Sequence, residues 1–281
     1  MFDVRRFLRR LGLYLAVAWF CFFSAAPFAY MLISMFKENK DLYRPKNNPF
    51  IFNDPPTLEH LRLLFLQTNY TTFVKNSFIV GILVVIITLV IAVPAAYALA
   101  RLTGRWGEQA GIGMFLIYLV PPTLLFIPLF RMVVSLNLND TIWSLVVVYP
   151  TISIPFSTWL LMGFFKSIPT DLEEAAMVDG YTRFAAFMKV VMPLSLSGVI
   201  AVIVFTFTLT LHEFIYALTF ISSSAQRTIS VGVPIELVRG DVFFWQSLLA
   251  AAALVAIPVG VVYNFFLDRL VAGFTMGAVK G

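Results

Sequence analysis

Long apolar runs separated by short polar segments dominate the pattern of this chain. Six of these runs are longer than the roughly 20 apolar residues that a helix needs to cross a bilayer. They are 11–36, 73–100, 110–134, 141–164, 195–221 and 245–267. Because the runs are continuously apolar, unlike barrel strands that alternate over about ten residues, they predict helices. The expected fold class is therefore an all-α integral membrane protein with six transmembrane helices.

Composition and charge agree with a membrane protein. Of the 281 residues, 60% are hydrophobic and 12% are charged, whereas soluble domains average about 25% charged residues. A formal net charge of +5 could suggest a nucleic-acid partner. The basic residues cluster at the ends of the apolar runs instead, which is typical of topology signals, so no nucleic-acid partner is expected.

The basic residues in short flanks predict the orientation, because such flanks remain in the cytoplasm. The arginines concerned are Arg5, Arg6, Arg9, Arg10, Arg101 and Arg105. This places both termini in the cytoplasm. The expected parts are a tail with the first helix, an extracytoplasmic loop, a core of five helices with a polar cytoplasmic segment, and a cytoplasmic C-terminal tail. In order, their bounds are 1–36, 37–72, 73–267 with the polar segment at 169–193, and 268–281.

The polar segment, residues 169–193, has the pattern of two short helices joined at a glycine. Thr170 and Glu173 fit a capping box, Gly180 fits a helix stop, and Thr182 fits a second cap. An apolar stripe at helical spacing follows, formed by Phe184, Phe187, Met188 and Val191. An interfacial helix that merely links two spans is one interpretation. The acidic residues of the segment favour a protein partner, since the anionic inner leaflet attracts basic helices.

The spacing within the polar segment resembles the EAA motif of ABC importer permeases. The matching residues are Glu174, Ala175, Ala176, Gly180, Val190, Met192 and Pro193. The family usually has isoleucine and leucine at the positions of Val190 and Met192. The ending Leu270–Gly281 is similar to that of carbohydrate permeases of the maltose-transporter type. The resemblance covers essentially the whole chain and implies the type I ABC importer permease fold.

The resemblance implies that the polar segment docks onto a cytosolic ATPase. The expected ATPase-coupling residues are Glu174, Ala175, Ala176, Asp179, Gly180 and Pro193. The tail residues expected to reach the ATPases are Gly273, Thr275 and Gly277. Implied partners are a second, different permease subunit, two ATPase subunits, an extracytoplasmic solute-binding protein and a sugar. The implied location is the cytoplasmic (inner) membrane of a bacterium or archaeon, which the chain crosses several times.

The chain has none of the motifs expected of an enzyme. It contains no GxxxxGK[ST] phosphate loop, so ATP and Mg are expected in the partner ATPases and no cofactor is expected here. Cys21 is the only cysteine, and His60 and His212 are the only histidines and are far apart. A metal site is therefore not expected.

Ionisable residues within the fifth run are candidates for the substrate pathway. His212 and Glu213 are costly in a span unless they face a cavity or a partner. With Tyr216 and Tyr149 they offer the hydrogen bonds and ring faces that suit a sugar. A hydrogen bond to the partner permease is the alternative. In similar permeases the stretch often reads Trp-Asn-Glu-Phe, whereas here it is Leu211–Phe214, which matches only at its last two positions.

Two further functions remain open on the residues alone. An ABC importer permease could carry a solute other than a sugar. A stand-alone secondary transporter would need buried ion-coupling groups in several spans and usually an internal repeat. No repeat is apparent in the sequence, which favours the ABC importer.

Overall fold

The structure is a computed structural model that describes the backbone of residues 4–278 and the side chains of residues 8–267. Its α-helices are α1 (Val4–Ser34), α2 (Asn39–Tyr43), α3 (Glu59–Gln67), α4 (Tyr70–Arg101), α5 (Arg105–Tyr118), α6 (Pro122–Ser135), α7 (Ile142–Val148), α8 (Pro150–Ser167), α9 (Thr170–Val178), α10 (Arg183–Ala186), α11 (Met192–Leu194), α12 (Leu196–His212), α13 (Ile215–Phe220), α14 (Ile229–Leu237) and α15 (Trp245–Ala278). The other described elements are a π-helical turn (Phe187–Val191), a 3₁₀ turn (Ser224–Gln226) and the strands β1 (Val238–Arg239) and β2 (Val242–Phe243).

Four of the predicted runs correspond to segments that are long and apolar enough to cross a membrane. Within the described residues these are Leu8–Ser34, Tyr70–Arg101, Ile142–Ser167 (α7 and α8) and Trp245–Leu267. Two bent helix pairs bring the number to six if each pair is one span. The predicted membrane class is therefore confirmed at the level of four to six candidate spans.

The run 110–134 is not one helix, contrary to the prediction. Helix α5 ends at Tyr118, α6 begins at Pro122, and the two axes differ by 88°. Pro121 and Pro122 lack amide donors, and a residue before a proline avoids the helical region. Pro121 has φ −58° and ψ 126° accordingly. The double proline thus ends one helix and starts another within this run.

The run 195–221 is also broken, although it contains no proline. Helix α12 ends at His212, and Glu213 is extended with φ −66° and ψ 127°. Helix α13 then starts at Ile215. A second bend, of 73°, separates Arg183–Leu194 from α12. The prediction of a single continuous helix is therefore wrong here.

The chain divides into two compact units. The first contains residues up to Tyr70 together with Val233–Ile257. Strands β1 and β2 belong to it and pair antiparallel, with Val238 opposite Phe243, across a turn in which Gly240 has φ +59°. This hairpin was not predicted from the apolar pattern, because strands of two residues are too short to show an alternation.

A buried ion pair organises the polar part of the first unit. The Lys37 Nζ atom lies 3.4 Å from Asp41 Oδ2, and both residues are at most 2% exposed. Asn53 and Asn47 donate side-chain hydrogen bonds of 2.9 and 2.8 Å to the Asp41 carboxylate. Burial alone would raise the pKa of Asp41, but the hydrogen bonds, chiefly from Asn53, lower it to about 2. Part of the predicted loop 37–72 is therefore a packed structure around a charge.

The second unit contains Thr71–Gly232 and the chain from Pro258 onward. It has two buried clusters. One is built around Tyr149 and Tyr216, and the other around Tyr97, Phe165 and Phe187. Each cluster contains a tyrosine that bonds a carboxylate. Together these two carboxylates define the candidate functional sites.

Candidate functional site

Helix α9 carries the centre of the polar segment, but it does not begin with a capping box. Pro169 is the N-cap, Thr170 is the first helical residue, and no side chain caps the helix. Glu173 does not turn back toward the Thr170 amide. Its carboxylate accepts a hydrogen bond from the Tyr97 hydroxyl and lies 3.5 Å from Arg101 Nε. The capping-box prediction is therefore wrong, because α4 supplies stronger partners for Glu173.

The end of α9 follows the prediction. Gly180 has φ +94°, a conformation that other residues rarely adopt. The Gly180 amide donates to the Met177 carbonyl, and the Tyr181 amide donates to the Ala176 carbonyl. This pair of bonds is a Schellman motif, which closes a helix and turns the chain. Gly180 thus fixes the direction in which the polar segment leaves α9.

The predicted docking residues divide into an exposed set and a buried one. Glu174, Ala175, Asp179 and Gly180 are exposed. Ala176 is only 7% exposed and faces inward with Glu173, three residues earlier. A partner that approaches α9 would therefore contact the exposed set.

The second half of the polar segment is a mixed helix. The Thr182 hydroxyl accepts a 3.2 Å hydrogen bond from the Ala185 amide, which confirms the predicted cap. Residues Phe187–Val191 then form a π-helical turn, so the residues of the predicted apolar stripe do not all face inward. Phe187 and Val191 are buried, whereas Phe184 is 73% exposed. Pro193, further along, lies within helix α11 and is exposed.

The break at Glu213 is stabilised by the Glu213 carboxylate itself. Its oxygens accept hydrogen bonds from the amides of Tyr216 and Ala217, at 2.9 and 3.1 Å. These amides belong to the first turn of α13, where negative charge is favourable. The Glu213 carbonyl, freed from the helix, accepts a 2.7 Å bond from the Ser230 hydroxyl. The side chain of Glu213 therefore replaces the backbone bonds that the break removes.

Tyr149 and Tyr216 connect this break to other helices. The buried Tyr149 hydroxyl donates a 2.7 Å bond to Glu213 Oε2. The Tyr216 hydroxyl donates a 2.6 Å bond to the Pro122 carbonyl, at the other break. The two broken spans are thus joined directly. The structure brings Tyr149, Glu213 and Tyr216 together. The Tyr149 hydroxyl and the Tyr216 amide both bond the Glu213 carboxylate, and the Tyr216 hydroxyl bonds the Pro122 carbonyl.

His212 does not join this cluster. Its side chain is exposed, while Glu213 next to it is partly buried. The extended backbone at Glu213 accounts for the difference, because it separates the directions of neighbouring side chains. Of the four candidate pathway residues, His212 is the one that lies outside the Tyr149–Glu213–Tyr216 cluster.

Three residues that were not predicted as site residues contribute to these sites. They are Tyr97, Arg101 and Ser230. Tyr97 and Arg101 are four residues apart at the end of α4 and share a face of the helix. Two polar residues four positions apart at the end of an apolar span form a sequence pattern from which Tyr97 and Arg101 could have been predicted.

The predicted tail contacts cannot be located in the same way. Gly273, Thr275 and Gly277 fall in a stretch whose backbone continues helix α15 to Ala278. Their side-chain environments lie outside the described residues.

Comparison with known proteins gives a consistent match. The family model for the inner membrane component of binding-protein-dependent transport systems matches residues 92–275. The chain is 38% identical over 231 residues to the sulfoquinovosyl glycerol transport system permease protein SmoH of Agrobacterium fabrum, covering 82% of this chain and 80% of that protein. It is 29% identical over 276 residues to the trehalose/maltose transport system permease protein MalG of Thermococcus litoralis, covering 98% of each.

A solved structure has a similar fold. It is the crystal structure of a bacterial ABC transporter involved in import of the acidic polysaccharide alginate, and the TM-score is 0.78. The match covers 95% of this chain and 98% of that chain at 17% identity. Identity at that level concerns the fold alone.

Proposed function

Because this chain belongs to the family of inner membrane components of binding-protein-dependent transport systems, we propose that it is a permease subunit of an ATP-driven sugar importer. It forms half of the translocation pathway, and a second, different permease subunit forms the other half. An extracytoplasmic binding protein delivers the solute. Two cytosolic ATPases, which hold ATP and Mg, supply the energy. The relatives SmoH and MalG are named for the transport of sulfoquinovosyl glycerol and of trehalose or maltose, which supports a sugar as the solute.

The observation that carries this proposal is the surface of helix α9. Four residues of the EAA-like motif and its flank are exposed there, namely Glu174, Ala175, Asp179 and Gly180. Val178, on the same helix, is 87% exposed although it is apolar. Small side chains let another surface approach closely, and the carboxylates beside them favour a protein partner over the anionic inner leaflet. In the proposed importer that partner is the ATPase.

The orientation follows from the arginines at the end of α4. Arg101 Nη2 donates a 2.6 Å hydrogen bond to the carbonyl of Ile168, the residue before the polar segment, and Nε lies 3.5 Å from Glu173 within the segment. The segment and the arginine-bearing turn therefore lie on the same side of the membrane. Basic short turns favour the cytoplasm, which supports a cytoplasmic docking surface and cytoplasmic termini.

Fewer residues are proposed to contact the solute than the sequence suggested. The Glu213 carboxylate is already bonded by three donors of this chain. It therefore supports the shape of the broken span, and His212, which is exposed, is the candidate for contact with the solute. Tyr149 and Tyr216 act through Glu213 and the Pro122 carbonyl rather than on the sugar.

The substitution Gly180→Pro tests the docking role. Proline holds φ near about −65° and has no amide hydrogen, whereas Gly180 has φ +94° and donates to the Met177 carbonyl. The Schellman motif is therefore lost and the docking surface is displaced. We expect uptake of labelled sugars into cells to be abolished, while the amount of protein in the membrane, measured by immunoblot, is retained.

Gly163→Ala is the matched control for Gly180→Pro. Gly163 lies in helix α8, and a Cβ atom added there would meet nothing within 4 Å. Uptake should be unchanged in this variant. Normal uptake by Gly180→Pro with the ATPases still bound would refute the docking role. ATP-dependent uptake of amino acids instead of sugars would refute the sugar assignment, and uptake driven by an ion gradient without ATP would refute the importer.

A further inference from the structure

A buried charged cluster attaches helix α9 to the end of α4. Arg101 and Glu173 have side chains that are 9% and 8% exposed, and Arg101 Nε lies 3.5 Å from Glu173 Oε2. The Tyr97 hydroxyl donates to the other carboxylate oxygen of Glu173. Arg101 also donates a 2.6 Å hydrogen bond to the Ile168 carbonyl, just before α9 begins. Both the start of α9 and its first turn are therefore bound to α4.

The ring of Tyr97 extends this attachment to two more elements. Its centroid lies 4.3 Å from that of Phe187, in the π-helical turn, and 6.2 Å from that of Phe165 in α8. Tyr97 thus contacts both sides of the polar segment and the helix that precedes it. These contacts are apolar, so they hold distances but permit sliding. The hydrogen bond from the Tyr97 hydroxyl to the Glu173 carboxylate adds a directional constraint, and Arg101 adds the counter-charge.

Helix α9 depends on such attachments. It has nine residues, and isolated helices shorter than about 12–15 residues are marginal in water. Apart from Glu173, Ala176 is its one buried residue among those described. A methyl group alone gives little resistance to a force applied to the exposed face. The Tyr97–Glu173 hydrogen bond and the Arg101–Glu173 ion pair are therefore the polar contacts that can transmit such a force from α9 to α4.

We propose that Glu173 and Arg101 are positioning residues that join the docking surface rigidly to span α4, so that a displacement of α9 moves α4 with it. This inference rests on the proposed function, since the displacement comes from the ATPase. Glu174 and Glu173 then have separate roles. Glu174 faces the partner, and Glu173 carries the movement into the membrane part of the chain.

The test measures whether α9 and α4 move as one body. Spin labels are placed at two exposed positions outside the proposed docking residues, Thr170→Cys and Leu102→Cys, in a Cys21→Ser background of the full transporter complex. Their separation is measured by electron paramagnetic resonance, without nucleotide and after trapping with ATP and vanadate. We expect one narrow distance distribution that is the same in both states. Asp171→Asn, which removes an exposed carboxylate from the same helix, should leave it narrow.

Glu173→Gln is the informative variant. The amide keeps an acceptor for Tyr97 but leaves the buried Arg101 without its counter-charge, so the distribution should broaden. Uptake per ATP hydrolysed should fall by about tenfold or more, because loss of one partner of a buried ion pair is strongly unfavourable. If this variant does not assemble, Arg101→Lys replaces it. Lysine keeps the charge but lacks the planar guanidinium, whose Nη2 donates to the Ile168 carbonyl while Nε faces Glu173.

The outcomes separate this inference from the proposed function. If the distance distribution stays equally narrow in Glu173→Gln, or in Arg101→Lys where that variant is used, the proposed rigid connection between α9 and α4 is wrong. A wild-type distance that changes between the two nucleotide states also overturns it. Wild-type uptake that does not require ATP overturns the proposed function instead, and the distance measurement without nucleotide still reports on the attachment of α9 to α4.

Discussion

The bond between Tyr149 and Glu213 makes a quantitative prediction about what this cluster is for. Tyr149→Phe removes only a hydroxyl, and the ring remains in a site that is 0% exposed. The lost bond is 2.7 Å long and has a carboxylate as its acceptor. Hydrogen bonds to charged groups contribute about 1.5–3 kcal/mol. Glu213 keeps its two amide donors, so the break is weakened but not abolished.

This loss converts into a measurable change in melting temperature. For domains of about 150–250 residues, 1 kcal/mol shifts Tm by roughly 2–4 °C, so a decrease of about 3–12 °C is expected for Tyr149→Phe. The assay is thermal unfolding of the complex in detergent, followed by intrinsic fluorescence or by loss of monodisperse protein. Sugar uptake at permissive temperature should retain its KM, because Tyr149 acts on the helix break and not on the solute.

Tyr118→Phe is the matched control for this prediction. Tyr118 packs against Phe156 and Phe205 through its ring, and its hydroxyl makes no hydrogen bond within the part of the chain that the structure describes. Its Tm should therefore change by less than about 1 °C, as for a substitution away from polar networks. An unchanged Tm in Tyr149→Phe together with a raised KM would refute the reasoning and would assign Glu213 to the solute.

Two further predictions concern stability in each unit. Asp41 has a folded pKa of about 2, below its ordinary value of 3.8, so its ionised form stabilises the first unit above about pH 4, and that contribution is lost as the pH falls toward 2. The Tm difference between wild type and Asp41→Asn should therefore be present at pH 5 and shrink toward pH 2; a constant difference would contradict the ion-pair account. Gly232→Ala should lower Tm, since a Cβ atom there would lie 2.5 Å from the Phe73 ring. Gly163→Ala, with open space and a gain in helix propensity of up to about 1 kcal/mol, should leave it unchanged or raise it.

The places of the four candidate spans that pass on their own could be predicted from the sequence, because the apolar signal is additive over about twenty residues. The breaks differ in this respect. The break at Pro121–Pro122 can be inferred from two missing amide donors in a row. The break at Glu213 has no proline to mark it, and two of its partners, Tyr149 and Ser230, are 64 and 17 residues away in the chain and are brought near only by the fold. An apolar run therefore predicts a span but not whether its helix is continuous.

In the polar segment, too, some features have local causes and others depend on residues distant in the chain. Gly180 and Thr182 act on their own neighbours, and both were predicted in their observed roles. Glu173 and Glu174 are adjacent carboxylates that look alike in sequence. A helix turns by about 100° per residue, and that rotation directs Glu173 inward to Arg101 while Glu174 stays exposed. Only the position of α4 distinguishes them, and that position is not a local property.

The clusters around Glu173 and Glu213 are built in the same way. Each of Glu173 and Glu213 accepts a hydrogen bond from a tyrosine that lies in an apolar cluster, and each lies at a junction between rigid helices. In apolar surroundings an unpaired carboxylate is costly, so a junction held in this way has one favourable arrangement and resists small displacements. We expect such junctions to pass a displacement on through whole helices. Glu173 and Glu213 bond within this chain, whereas Glu174 and His212 are exposed and are the proposed contacts for the partner and the solute.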